Sequence, residues 1–350
     1  MSTVSKLASN ALLTKSRAMN SGILTADDYS QLVNCRSLND VVNYLKSNTV
    51  YSQAVDLLFG TNIYRARVEA EIKKFNNKRV ADLASFEAAI GQKLHEIVFM
   101  TYDVRLILSC AYHLDTNEIS DFSLFVPEAY FRHSLLKPEA LEMAMSIEEF
   151  HAALEGTQYG KLLDIFISGG RPFTITALEN VLYQYLYSCT EQIIKKNYSG
   201  DEEDELLRLF RAKADFKMLE SIYRMKKFFP NEALGFHNIF YSGFSAFSKK
   251  EIQTLIDCES ADKLRGIIEN SEYGKYFRTG RDAPIEHRTR RALYEISEKA
   301  LRFSTVPEVT MFSFINILEN ETHNLIHIIE GVRYSLSADE IMKFIVIQDN

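Results

Sequence analysis

The sequence predicts a nearly all-α protein built as three pseudo-repeated helical bundles. Over most of the chain apolar residues recur at three- and four-residue spacings, the period of a helix buried on one side, and strict alternation over a strand's length is hard to find. Only 14 Gly and 6 Pro in 350 residues leave little for the dense turns of an all-β protein. One helix-opening signature recurs in the same order along the chain, at a period of roughly 110 residues, which fits a supersecondary unit several helices long.

Residues 1–26 carry Lys6, Lys15 and Arg17 with no acid before Asp27. That pattern resembles a transit peptide, but an amphipathic first helix accounts for it and is the reading kept, because the apolar stretch is too short for a secretory signal. The first copy of the signature follows: Leu24-Thr25, then Ser37, then Tyr51. The second is Leu136-Lys137-Pro138, then Ser146, then Tyr159-Gly160-Lys161; the third is Phe247-Ser248, then Ser260, then Tyr273-Gly274-Lys275. Thr25 and Ser248 are cap residues for a first short helix, and Pro138 sits near its start in the middle copy. Ser37, Ser146 and Ser260 open a partner helix that is expected to end at the Tyr.

Helical periodicity then predicts one long helix per unit over 54–75, 176–194 and 284–303, and a further one over 94–112, 206–228 and 312–330. Gly169-Gly170-Arg171-Pro172 and Asn197-Tyr198-Ser199-Gly200 read as turns, and the acidic run 201–205 as a solvated helix start. Stretches 126–135 and 232–243 connect units, giving expected domains 1–125, 126–235 and 236–350. At the end of the chain Leu325, Ile326, Ile328, Ile329 and Val332 share a face, and Gly331 is placed to end or loosen that helix. Ser337 with Glu340 forms a capping box, so the last domain includes the start of an incomplete fourth unit.

The composition, 46% hydrophobic and 25% charged, is that of a globular protein. The net charge of −7 disfavours a general nucleic-acid binder, whose affinity rests on neutralising phosphates. Cys35, Cys110, Cys189 and Cys258 lack zinc-site spacing and disulfide density, and read as reduced thiols of a cytosolic protein. Charged residues interrupt every apolar run before the roughly 18 residues of a membrane span, so no spanning segment is expected.

His323 and His327 have the one-turn spacing of metal ligands, but no Glu follows the first His and no third ligand is indicated; a structural or surface pair is preferred. Gly169-Gly170-Arg171 lacks the Lys-Ser/Thr of a phosphate loop. No catalytic residue, cofactor site or metal ligand is assigned. Two basic features remain. Lys226-Lys227 is one; the other is Arg278, Arg281, Arg288, Arg290 and Arg291 with His287. Arg281, Arg288, Arg290 and Arg291 are the candidate partner surface, either docking an acidic partner or lying on a solvated helix face.

With these residues laid out, the chain resembles the C subunit of archaeal and bacterial vacuolar-type rotary ATPases, called the d subunit in eukaryotes. The late motif of that family is matched in register by Glu321, Asn324, Ile328, Gly331, Leu336, Ser337, Glu340 and Ile341. Ile285-Glu286, Pro307 and Glu319 also fit, and Asp215 through Tyr223-Arg224-Met225-Lys226-Lys227 resembles a mid-chain family helix. His323, Ile326, Val332 and Met218 depart from the pattern, standing for Arg, a basic residue, Lys and Asn.

The resemblance implies a funnel-like body and a non-catalytic rotor adaptor, with Glu286, Glu319, Glu321, Asn324, Gly331 and Glu340 as structural positions. It implies central-stalk subunits and the membrane rotor ring as partners, one copy per complex, and a peripheral location on the cytoplasmic face. It implies no cofactor and no direct nucleic-acid contact. The reading set against it is a soluble helical-repeat scaffold that binds an acidic protein or RNA.

Overall fold

A computed structural model describes residues 3–56, 58, 60, 63–116, 126–170, 173–229, 243–277 and 283–347. Among the described residues every regular element is a helix. In chain order these are α1 (Thr3–Asn20), α2 (Ala26–Val33), α3 (Leu38–Asn48), α4 (Ser52–Val55), α5 (Arg65–Ala89) and α6 (His95–Thr116). There follow α7 (Glu128–Phe131), α8 (Pro138–Glu142), α9 (Ile147–Ala153), α10 (Gln158–Ile167), α11 (Ile175–Asn197) and α12 (Asp201–Phe228). The last third holds α13 (Lys249–Asp257), α14 (Ala261–Glu269), α15 (Gly274–Phe277), α16 (Ile285–Phe303), α17 (Pro307–Arg333) and α18 (Ala338–Met342).

The cap chemistry places the short helices. Thr25 Oγ1 accepts from the Asp28 amide and Asp28 closes the capping box of α2; Ser248 with Glu251 does the same for α13, and Ser337 with Glu340 for α18. Ser37 and Ser146 cap α3 and α9, and Pro138 is the first residue of α8. The tyrosines act otherwise than expected. Tyr51 is the N-cap of α4, Tyr159 lies in the first turn of α10 and Tyr273 directly precedes α15. Each begins a third short helix instead of ending the second.

The expected helix over 54–75 is broken. The chain leaves α4 at Val55, passes Gly60 in the left-handed region (φ 57°), and re-enters helix at Arg65. From there α5 runs past residue 75 because Val80, Ala81, Leu83 and Ala84 continue a buried face. The connector 126–135 contains α7, whereas 232–242 of the second connector, Arg171-Pro172, Arg278 and Arg281 lie outside the described residues.

The chain packs as two compact units, one of Met1–Phe86 with Gly266–Asn350 and one of Glu87–Arg265. In the first unit α17 is buried on all sides over residues 308–318, and α1 and α16 pack against this helix. Further along, its Leu325, Ile328 and Ile329 pack with Leu32, Val41, Leu45, Tyr51 and Ile72 from the start of the chain. Arg17, one of the early basic residues, donates from Nε to the Leu301 carbonyl at 3.1 Å and from Nη2 to the Ser304 carbonyl at 2.9 Å. A cation thus meets the exposed carbonyls that end α16.

In the second unit α6 packs against α11, and α11 against α12. Val104, Leu106, Ile107 and Cys110 of α6 share a core with Leu141, Phe150, Leu163, Leu178 and Leu182. By length and composition, residues His95–Leu114 form a helix apolar enough to cross a membrane, with a mean hydropathy of 1.2. That departs from the expectation drawn from sequence. Its Val104, Leu106, Ile107 and Cys110 belong to the core just described.

Candidate functional site

The late motif organises the end of the chain. Asn324 makes a two-way amide pair with Val346: Nδ2 donates to its carbonyl at 2.8 Å and Oδ1 accepts its N–H at 3.0 Å. Asn320 Nδ2 adds a second donor to the same carbonyl at 2.9 Å. A buried amide side chain can satisfy a backbone segment that has no strand or helix of its own. Gly331 does not end α17. The helix continues to Arg333, and the left-handed residue that turns the chain is Ser335 (φ 56°), after which the Leu336 amide donates to the Gly331 carbonyl.

Glycine is needed at 331 because α18 crosses there: a Cβ would stand 2.5 Å from Ile341 Cγ1 and 2.8 Å from its Cδ1. Gly331→Ala is expected to destabilise the chain by up to about 2 kcal/mol, since an overpacking cost of up to about 3 kcal/mol outweighs a helix-propensity gain of about 1 kcal/mol. Denaturant unfolding of Gly331→Ala, Ile341→Ala and the pair checks this; costs that simply add would show that the two side chains do not meet.

Glu321 sits one turn before Asn324 and is buried, with 1% of its surface exposed. Its Oε2 accepts the Leu24 amide, and its Oε1 accepts Tyr51 Oη at 2.7 Å. Asn76 Nδ2 donates to Tyr51 Oη at 2.8 Å and to Thr322 Oγ1 at 2.9 Å, extending the network to α5. Burial pushes the Glu321 carboxyl up to about 7, against the Leu24 amide, the Tyr51 hydroxyl and the Arg79 charge, which pull it down. The other motif carboxylates are placed differently. Glu286 is exposed in the first turn of α16, Glu319 is half-buried on α17, and Glu340 is the capping acid of α18.

The raised Glu321 carboxyl has a definite sign in stability. Folding favours its protonated form, so its contribution is complete below about pH 4.5 and is lost as the pH rises through about 7. His287 acts oppositely. Burial lowers it to about 4, so its contribution is present above 6.5 and is lost as the pH falls. The two oppose each other in the acid range. Glu321→Gln should therefore gain up to about 3 kcal/mol, relative to wild type, as the pH is raised from about 5 to about 8 in denaturant unfolding. Parallel profiles for the two proteins would refute this.

Of the candidate partner arginines, Arg281 lies outside the described residues. Arg288 is buried, 2% exposed, with Nη2 donating to Glu269 Oε1 at 3.0 Å and to the Phe277 carbonyl. Arg290 donates to the Phe344 carbonyl at 2.6 Å, and Arg291 pairs with Glu295 at 3.2 Å. The structure therefore gives the three described arginines internal bonds and places Arg288 in the packing. Lys226 is also occupied: Nζ donates to the Ile256 carbonyl at 2.6 Å and to that of Cys258, at the C-terminal end of α13.

His323 is exposed, while His327 stacks on Phe344 and lies 4.0 Å from Glu330. Among the described residues no group of three or more His, Cys, Asp or Glu could hold a metal ion. Val332 and Met218, two of the departures from the family pattern, are buried apolar residues.

Sequence reasoning assigned no role to the glycine after the repeat tyrosine. A Cβ on Gly160 would stand 2.5 Å from the Leu154 carbonyl oxygen, and one on Gly274 would stand 2.1 Å from that of Glu269. The recurring Tyr-Gly pair was the available signal. It marks where the chain crosses the end of the preceding short helix.

Residues 12–344 match the family described as ATP synthase (C/AC39) subunit. The chain is 23% identical over 270 residues to the C subunit of the A-type ATP synthase of Methanosphaera stadtmanae, a stretch that covers 74% of this chain and 64% of that relative's own length. The family match takes in both helices of the late motif and all three repeat openings. The chain belongs to the ATP synthase (C/AC39) subunit family, whose members are structural and not catalytic subunits.

Proposed function

We propose that the chain is a non-catalytic adaptor of an A/V-type rotary ATPase, joining the central stalk to the membrane rotor ring during ATP-driven ion transport or ATP synthesis. The observation that carries this reading is the family match over residues 12–344. The organisation of the side chains supports it. Glu321, Asn324, Gly331 and Glu340 all serve to hold the chain's own segments together. Such a body suits mechanical transmission, because close-packed interiors are stiff and pass strain on.

The adaptor is three pseudo-repeated bundles, 1–125, 126–235 and 236–350, forming a funnel-like body. It sits peripherally on the cytoplasmic face as one copy per complex. Arg281, Arg290 and Arg291 remain the proposed partner surface, without the buried Arg288. Native protein drawn from solubilised membranes should bring down the ATPase subunits, and the isolated chain should hydrolyse no nucleotide. Deleting the gene should detach or uncouple the soluble head; an intact, coupled ATPase without this chain would overturn the proposal.

A further inference from the structure

Three buried carboxylates stand on long helices, and each holds the stretch that leads into one copy of the repeated helix opening. Asp103 on α6 accepts from Ser134 Oγ at 2.7 Å, from Tyr159 Oη at 2.9 Å and from Tyr130 Oη. Asp215 on α12 accepts the Ala246 amide at 3.0 Å and Ser245 Oγ. Glu321 on α17 accepts the Leu24 amide and, at 2.7 Å, Tyr51 Oη. All three side chains are more than nine-tenths buried.

The correspondence holds residue by residue. Leu24, Leu136 and Phe247 are equivalent positions in the repeat, so Gly22, Ser134 and Ser245 are equivalent two residues earlier. Ser134 Oγ accepts the Leu136 amide at 3.1 Å, and Ser245 Oγ accepts the Phe247 amide at 3.0 Å. Each serine hydroxyl thus links an aspartate to that amide. Gly22 offers no hydroxyl, and there the longer glutamate reaches the Leu24 amide directly. The tyrosines agree as well, since Tyr51 and Tyr159 are equivalent and both donate to the carboxylate.

The copies differ in what they join. Asp103 and Asp215 hold serines 31 and 30 residues further along the chain, whereas Glu321 holds an amide 297 residues before it. When one of the first two lets go, the short intervening segment still keeps its partners close; when Glu321 lets go, no short segment does.

We propose that Asp103, Asp215 and Glu321 are one latch used three times, and that the Glu321 copy closes the last long helix onto the first repeat, so that residues 24–51 open as a unit when it is released. The proposal stands apart from the coupling role, because its test needs no ATPase.

Hydrogen–deuterium exchange on the full chain tests it. Glu321→Asp, which shortens the reach to Leu24, should speed exchange in 24–51 at least tenfold and leave 136–159 at the wild-type rate. Asp103→Asn should do the reverse. Gly22→Ser, added to Glu321→Asp together with Val50→Ala to clear the methyl 2.9 Å from a Cβ at 22, should restore protection by rebuilding the aspartate–serine form. If Glu321→Asp does not fold, Glu321→Gln carries the test, since it keeps the length and loses one acceptor. Faster exchange in both repeats together, no change in 24–51, or no recovery on adding Gly22→Ser would overturn the proposal.

Discussion

Gly274→Ala is expected to destabilise the chain by about 3 kcal/mol or more, among the largest effects of a single methyl group. The added Cβ would lie 2.1 Å from the Glu269 carbonyl oxygen and 2.8 Å from its carbon. Both are backbone atoms at the end of α14, so no rotamer change relieves the overlap and the helix end itself must move. Gly160→Ala repeats the experiment at the equivalent position of the second repeat, with 2.5 Å to the Leu154 oxygen. A control lies close by: Gly266, inside α14, has open space around its Cβ position, and Gly266→Ala should stabilise by up to about 1 kcal/mol through helix propensity. Thermal and denaturant unfolding of the three variants decide the matter. Equal stability for Gly274→Ala and Gly266→Ala would mean that the close crossing does not exist.

Arg288→Met is expected to cost about 3 kcal/mol, because it removes one member of a buried ion pair and leaves the other. Glu269, only 20% exposed, would lose the Arg288 guanidinium, and the Phe277 carbonyl would lose the Nη2 donor. The guanidinium also lies 5.1 Å from the centre of the Phe277 ring, a cation–π contact that methionine replaces only in part. Arg288→Met with Glu269→Leu should recover much of the loss. Removing both charges removes the burial cost of each, and Arg288 Nε and Nη1 find no hydrogen-bond partner among the described residues. A surface arginine that meets only a partner protein would behave otherwise: Arg288→Met would leave denaturant unfolding unchanged within about 0.5 kcal/mol and weaken assembly alone.

The fate of the arginine group shows how far sequence could reach. A run of arginines on one helix is equally compatible with a solvated face, a docking surface or buried pairing, because its neighbours in space are far away in the chain. Glu269 and Phe277 precede Arg288 by 19 and 11 residues, and the carbonyl that receives Arg290 lies 54 residues later. Lys226 is a similar case. Its position in a family-like helix was visible, while its task, closing the end of α13, depends on a helix that starts 23 residues further on.

What the sequence determined by itself is local. Thr25, Ser37, Ser146, Ser248 and Ser337 cap the helices they were expected to cap, because a cap acts within three residues of itself. The long helices α11, α12, α16 and α17 follow from apolar spacing in the same way. The tertiary structure decided everything that joins distant segments. It made Gly331 a crossing point instead of a helix stop, gave each repeat tyrosine a place at the start of a third helix, and carried Glu321 to the amide of Leu24. Burial, close approach and a carboxyl raised to about 7 are properties of neighbours that only folding supplies.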